Sequence, residues 1–259
     1  MSIVDSHAHL TNDQVFPDVE DILERAKHAG IQKIINICTD DKTLERGIEL
    51  RRKFSWIYNT ASTTPHDVAT DGERLFPFME KNAKGGNLVA VGETGLDYYY
   101  HDETKELQQH IFRKYLKLAL ETELPVVIHC RDAFDDFFRI LDETYVVSGK
   151  HAPGVLHCFT GTMNDARNVV ERGWYLSLSG IVTFKRSSEL RDVAKEVPLA
   201  QLLIETDTPY LAPQSRRGKR NEPAYISETA GLIADLKGIS ADELIVATAK
   251  NAKNLFNIK

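Results

Sequence analysis

Cysteine is scarce: Cys38, Cys130 and Cys158 are the only three in 259 residues, and no Cys-x-x-Cys pair occurs. That excludes a disulfide framework and a thiolate zinc cluster, and it points to reduced, buried thiols in a cytoplasmic protein. No apolar run approaches the roughly 20 residues that cross a bilayer. The opening residues lack a basic stretch followed by a long apolar one, so no secretory leader and no membrane attachment is expected. Excess positive charge is missing too. The net charge is −6, which argues against tight, non-specific coating of nucleic acid over a broad surface. There is no Gly-x-Ser-x-Gly nucleophile elbow. Gly218-Lys219-Arg220 lacks the Ser/Thr and the spaced upstream glycine of a phosphate-binding loop. No linker, repeat or low-complexity segment divides the chain. Its composition, 42% hydrophobic and 27% charged, is that of one folded domain spanning residues 1–259.

What is present is a regular alternation of strand-like and helix-like segments. The strand candidates are Ser2–His7, Lys33–Cys38, Trp56–Ala61, Leu88–Thr94, Pro125–Cys130, Gly154–Cys158, Tyr175–Leu178 and Gln201–Thr206. Helical patterns lie at Val19–Ala29, Asp40–Lys53, Glu103–Glu121, Ala133–Tyr145, Asn164–Arg172 and Ser187–Glu196, with two more at Tyr225–Leu236 and Ala241–Phe256. Strands alternating with helices imply parallel βαβ units. Eight of them in a chain of this length predict an α/β fold closed as a (β/α)8 TIM barrel, with an open doubly wound sheet as the second choice.

The barrel reading gathers residues that are far apart in sequence. Asp5-Ser6-His7-Ala8-His9 puts two histidines two apart at the end of an apolar run, on one side of an extended strand. Glu93, His129, His157 and Asp207 each close or follow another aliphatic run. All six would converge on the carboxyl-terminal face of the barrel. Four histidines and two carboxylates exceed what a closed structural zinc site needs. They fit two divalent metals bridged by one carboxylate, with Glu93 as the bridge. His7, His9, Glu93 and Asp207 are assigned to one ion, and Glu93, His129 and His157 to the other. Asp207 is expected to serve also as general base toward the attacking water. Oxygen ligands favour magnesium or manganese, and imidazoles favour zinc, manganese or iron-type ions. His28, His66, His101, His110 and His151 are read as ordinary histidines, His66 least securely because it follows Pro65 in the loop after the third strand. Cys130 and Cys158, each next to a histidine on a strand, are expected to point into the helix layer as small hydrophobes.

Six motifs carry a family resemblance. They are Asp5-Ser6-His7-Ala8-His9-Leu10, Gly92-Glu93-Thr94-Gly95-Leu96-Asp97-Tyr98, Pro125-Val126-Val127-Ile128-His129-Cys130-Arg131, His157-Cys158-Phe159-Thr160-Gly161, Leu203 through Leu211, and Arg220-Asn221-Glu222-Pro223. In this order they resemble the TatD family of metal-dependent deoxyribonucleases, among the amidohydrolase-like barrels. The resemblance implies divalent metals on the same six residues, and cleavage of DNA phosphodiesters, often from the 3′ end. It also changes the reading of Arg216-Arg217-Gly218-Lys219-Arg220. Alone, such a charge run is a solvated loop. After the eighth strand of this family, Arg217 or Arg220 becomes a phosphate contact. Arg131 has two open readings, phosphate contact or buried ion-pair partner. Tyr98, Tyr99 and Tyr100 can stack on bases, although rim packing is the expected role of at least two of them.

One position departs from the family pattern. Ser62-Thr63-Thr64-Pro65-His66 has Thr64 where the family's Gly-x-His-Pro-His has its first histidine. Threonine donates a hydrogen bond but carries no proton charge near neutrality. The combined expectation is a metal-dependent nuclease that binds DNA weakly and salt-sensitively through a local basic loop. It needs no obligate protein partner, and a monomer suffices because a closed barrel has no free edge. Two alternatives remain. One keeps the metal site but hydrolyses a small amide, ester or lactone. The other is a non-catalytic metal-stabilised binding module, with Thr64 as its only support.

Overall fold

The computed structural model describes residues 2–259. Eight strands run in sequence order around one barrel: β1 (Ile3–Ala8), β2 (Ile31–Cys38), β3 (Ile57–Ala61), β4 (Ala90–Asp97), β5 (Val126–Arg131), β6 (Gly154–Leu156), β7 (Tyr175–Leu178) and β8 (Leu202–Ile204). Each is parallel to its neighbour from β1 through β8. Around them lie α1 (Val19–His28), α2 (Asp41–Lys53), α3 (Val68–Lys84), α4 (Lys105–Thr122), α5 (Phe134–Thr144), α6 (Met163–Glu171), α7 (Ser188–Glu196), α8 (Ile226–Lys237) and α9 (Ala241–Leu255). The protein is a single (β/α)8 barrel, as the alternation predicted. No helix among the described residues is long and apolar enough to cross a membrane.

Period-two side-chain alternation divides the apolar residues between two layers. Val4, Ile35, Val127, Val155 and Leu203 belong to one buried cluster with Ala252, Leu255, Phe256 and Ile258. The end of α9 and the residues after it therefore floor the barrel. Ile34, Ile57, Val126, Ile128 and Leu202 belong to the larger cluster with Leu44, Phe112, Phe137 and Val169 beneath the helices. Each such side chain, fully buried, contributes about 1.5–3 kcal/mol. Local chemistry starts the helices: Thr43 N–H donates to the Asp40 carboxylate at 2.6 Å to open α2, and Thr162 with Asp165 makes the same reciprocal box at α6.

The seam between β1 and β8 closes through a few bonds near the mouth. Asp207 N–H donates to His7 O at 2.9 Å and His9 N–H to Thr208 O at 2.7 Å. Deeper in the seam, the buried Asp5 carboxylate accepts from Thr206 N–H at 3.0 Å and from Thr206 Oγ1 at 2.6 Å. A side chain takes the place of a ladder acceptor there. Burial pushes its carboxyl up to about 7 against the lowering effect of those hydrogen bonds.

Three differences from the sequence reading have physical causes. α3 carries Gly72 and Pro77 inside it, residues that weaken a helical pattern. Gly72 is used for contact: a Cβ there would lie 2.9 Å from Ile111 Cγ1 on α4. β4 runs on to Asp97, so Glu93 sits inside the strand and not at its end. β6 stops at Leu156, which leaves His157 and Cys158 in the loop beyond it.

Candidate metal centre

The seam bonds set the first half of the site. They tie Asp207, whose backbone is left-handed at φ 59°, to the strand end that carries His7 and His9. Asn221 braces the same turn from behind: its Nδ2 donates to Thr206 O and to Tyr210 O, both at 2.7 Å. The second half depends on β4 lying close to β5. Gly92 (φ 146°) and Gly95 (φ 140°) adopt backbone angles that side chains disfavour. A Cβ would come within 2.4 Å of Val127 O at Gly92 and within 2.0 Å of His129 O at Gly95. These glycines let Glu93 and His129 face the same space.

The six residues converge. His7 Nε2 lies 3.3 Å from His9 Nε2, 3.3 Å from Glu93 Oε2 and 3.6 Å from Asp207 Oδ1. His9 Nε2 lies 3.6 Å from Glu93 Oε2 and 3.4 Å from Asp207 Oδ1. A tetrahedral ion about 2.1 Å from four nitrogen and oxygen ligands sets ligand–ligand edges of about 3.4 Å. The donor atoms already stand at that spacing, and a cation fits among them. On the other side, Glu93 Oε1 is 3.2 Å from His129 Nδ1 and 2.9 Å from His157 Nε2, which are 3.3 Å apart. Three donors so placed suit a second cation with open positions. The two oxygens of one carboxylate thus face two separate groups of imidazoles. The donors mix imidazole and carboxylate, which suits zinc, manganese or iron-type ions.

Electrostatics favour the anionic bridge. Burial opposes ionisation of Glu93, but the charge of His157 and hydrogen bonds from His129, His157 and His7 outweigh it and hold the carboxyl well below its usual range. His157 is raised well above an ordinary imidazole, because Glu93 and Glu205 overcome its burial. His7 moves the other way, lowered by burial and by His157, whose ring stacks on it at 3.8 Å. His7 Nδ1 is a buried nitrogen without a hydrogen-bond partner among the described residues.

Two carboxylates outside the assigned set stand behind the candidate ligands. Asp97 Oδ2 lies 2.9 Å from His129 Nε2, so the imidazole has a carboxylate behind it and its Nδ1 turned to Glu93. This arrangement fixes ring orientation and raises ligand basicity. Burial notwithstanding, His129 and backbone N–H groups hold the Asp97 carboxyl down at about 2. Glu205 Oε1 lies 3.5 Å from His157 Nδ1 and accepts from Cys158 N–H at 2.6 Å. Both are acids near a ligand in sequence, Asp97 four after Glu93 and Glu205 two before Asp207. That spacing was their available signal. His66 also belongs near the site: its Nε2 is 3.8 Å from Asp97 Oδ2 and its ring centroid 5.3 Å from that of His129.

The expected substrate contacts separate. Arg131 has its guanidinium over Tyr99 at 3.9 Å and Tyr100 at 4.7 Å. It is half-buried and makes no ion pair among the described residues. Arg217 lies over Phe184 at 4.1 Å and is exposed. Arg220 is occupied: it donates to Gln14 O and to Asp18 Oδ2, both at 2.6 Å. Glu222 pairs with Arg25 at 2.7 Å. The Arg-Asn-Glu-Pro stretch therefore spends its polar groups on anchoring the loop. Of the three tyrosines Tyr98 packs against the core, its hydroxyl donating to Asp136 Oδ2 at 2.8 Å, while Tyr99 and Tyr100 stand exposed. Thr64 Oγ1 donates to Asp67 Oδ2 at 3.0 Å, in the turn that leads to α3. Cys130 is buried in the helix-side core as expected. Cys158 is a half-buried loop residue at φ 44° with Sγ 3.2 Å from Ser179 Oγ, because the strand ends before it.

Known proteins share this whole architecture. The profile of the family described as TatD related DNase matches residues 4–257. The metal-dependent hydrolase YabD of Bacillus subtilis is 38% identical over 256 residues, covering 99% of each chain. The 3′-5′ ssDNA/RNA exonuclease TatD of Cronobacter sakazakii is 34% identical, over 96% of this chain and 95% of its own. The crystal structure of YjjV, a TatD homologue from Escherichia coli, superposes with a TM-score of 0.92 at 29% identity, covering 99% of this chain and 98% of that one.

Proposed function

This chain belongs to the TatD family of metal-dependent hydrolases, and from that premise we propose that it is a two-metal nuclease that hydrolyses DNA phosphodiesters, trimming single strands from the 3′ end. The observation that carries this reading is the division of Glu93, with Oε2 facing His7 and His9 and Oε1 facing His129 and His157. A shared carboxylate between two cation sites is the arrangement of two-metal phosphoryl-transfer centres. The name borne by the Cronobacter relative points to the same substrate class.

Divalent ions bound there would polarise the phosphoryl oxygen and ready a water for attack. The chain's own groups do the rest. Asp207, whose Oδ1 faces His7 and His9 at 3.6 and 3.4 Å, accepts the proton that the attacking water releases. As the water oxygen bonds to phosphorus, the bond to the leaving sugar oxygen breaks. Arg131 and Arg217, neither with a carboxylate partner among the described residues, hold phosphate by paired hydrogen bonds. Arg220 positions the loop that carries Arg217. With a net charge of −6, binding beyond those contacts is weak and falls with salt.

The test is release of nucleotides from 3′- and 5′-end-labelled single-stranded DNA by metal-stripped protein, with magnesium, manganese or zinc restored. Cleavage that returns with metal and vanishes in Asp207→Asn supports the proposal. Protein that binds metal yet cleaves no DNA contradicts it and moves the activity to a small ester, amide or lactone.

A further inference from the structure

We infer that Tyr99, Tyr100 and Arg131 form a subsite that grips the nucleotide beside the scissile phosphate, with the tyrosine rings stacking its base and the guanidinium taking its phosphate. This rests on the nuclease reading above and adds the residues that select for a base. Tyr99 and Tyr100 are 58% and 59% exposed, among the few large apolar side chains left in solvent. They do not sit on a mobile tip. Asp97 Oδ1 accepts both of their backbone N–H groups, at 3.0 and 2.9 Å, while its Oδ2 holds His129. One carboxylate thus fixes the aromatic rim and a metal-site imidazole at once. The rings stand perpendicular at 4.7 Å, and Arg131 lies against both. Its guanidinium has no hydrogen-bond or ion-pair partner among the described residues, so all its donors are free. The ring of His66, 6.1 Å from Tyr100 and 5.3 Å from His129, links the platform to the metal centre.

Two rings more than half exposed, each with one face toward the guanidinium and the other open, and a planar cation without an ion-pair partner ask for a ligand with an aromatic face and an anion close together. A nucleotide has both, and stacking of this kind tolerates any base sequence. Within a duplex the faces of a base are covered by its stacked neighbours, so the platform selects unstacked single-stranded ends.

The experiment compares the metal-loaded wild type with Tyr99→Ala, Tyr100→Ala and the double variant, and with Tyr99→Phe/Tyr100→Phe. The substrates are two matched single-stranded oligonucleotides, one intact and one lacking the 3′-terminal base. Both tyrosines are solvent-exposed, and unchanged melting and metal content confirm that the variants fold. The expected result is that the double alanine variant raises KM on the intact strand roughly 10-fold, with the change in KM rather than kcat. On the abasic strand it adds nothing to a KM that is already high, and the phenylalanine pair restores the intact-strand value. Equal effects on both strands, or no effect on the intact one, overturn the subsite while leaving the nuclease reading in place. Absence of cleavage of either strand by the wild type overturns both.

Discussion

His129 Nε2 lies 2.9 Å from Asp97 Oδ2, an imidazole backed by a buried carboxylate while its other nitrogen faces Glu93 at 3.2 Å. Outer carboxylates of this kind typically hold 10–100-fold in metal affinity or activity. Asp97→Asn is therefore expected to weaken metal retention by about that factor and to lose, at neutral pH, the roughly 2 kcal/mol that the depressed carboxyl contributes. Competition with a chelator, followed by metal analysis, reads it.

The same pair predicts a pH dependence of the metal-free protein. Asp97 is held down at about 2 against an ordinary 3.8. A carboxyl depressed in the folded state contributes stability that is present above the unfolded value and is lost as pH falls through the folded one. About 2 kcal/mol is expected to disappear between pH ~4 and ~2. Urea melts across that range should show this loss in the wild type and a flatter limb in Asp97→Asn. Identical limbs would remove the assigned role.

Gly95→Ala tests the close approach of β4 to β5. The new Cβ would stand 2.0 Å from His129 O at φ 140°, and a loss of about 3 kcal/mol or more is expected. Gly149→Ala is the control. Its φ is 65° and nothing lies within 4 Å, so only the conformational penalty of about 1–2 kcal/mol applies. Thermal melts should rank the two variants in that order.

Asn221→Ala removes two 2.7 Å hydrogen bonds, to Thr206 O and Tyr210 O, from a buried position. The expected cost is about 2–3 kcal/mol. Because the turn it braces carries Asp207, kcat should fall as well. A stability loss with unchanged kcat would show that Asp207 holds its place without Asn221.

The barrel and its six converging residues were legible because each lies in or just beyond an aliphatic run that forms a strand, and parallel strands send their ends to one face. Glu93 was found in spite of a wrong strand boundary: β4 runs past it to Asp97. What escaped was of two kinds. α3 was hidden by Gly72 and Pro77, which propensity rejects, although Gly72 allows the close approach of Ile111. Asp97, Glu205 and His66 were hidden because each acts on a ligand from another strand or loop. Only the folded geometry states such a relation. Arg220 shows the converse: its charge was visible and its commitment to Asp18 was not.

The central claim is that Glu93 spans two cation sites, and anomalous scattering from crystals of the manganese-loaded protein tests it most directly. The account predicts two peaks about 3.5–4 Å apart, one touching His7 and His9 and the other His129 and His157, each bound to a different oxygen of Glu93. In Glu93→Gln at least one peak should be lost. A single peak in the wild type, with Glu93 bound to one ion or to none, would contradict it.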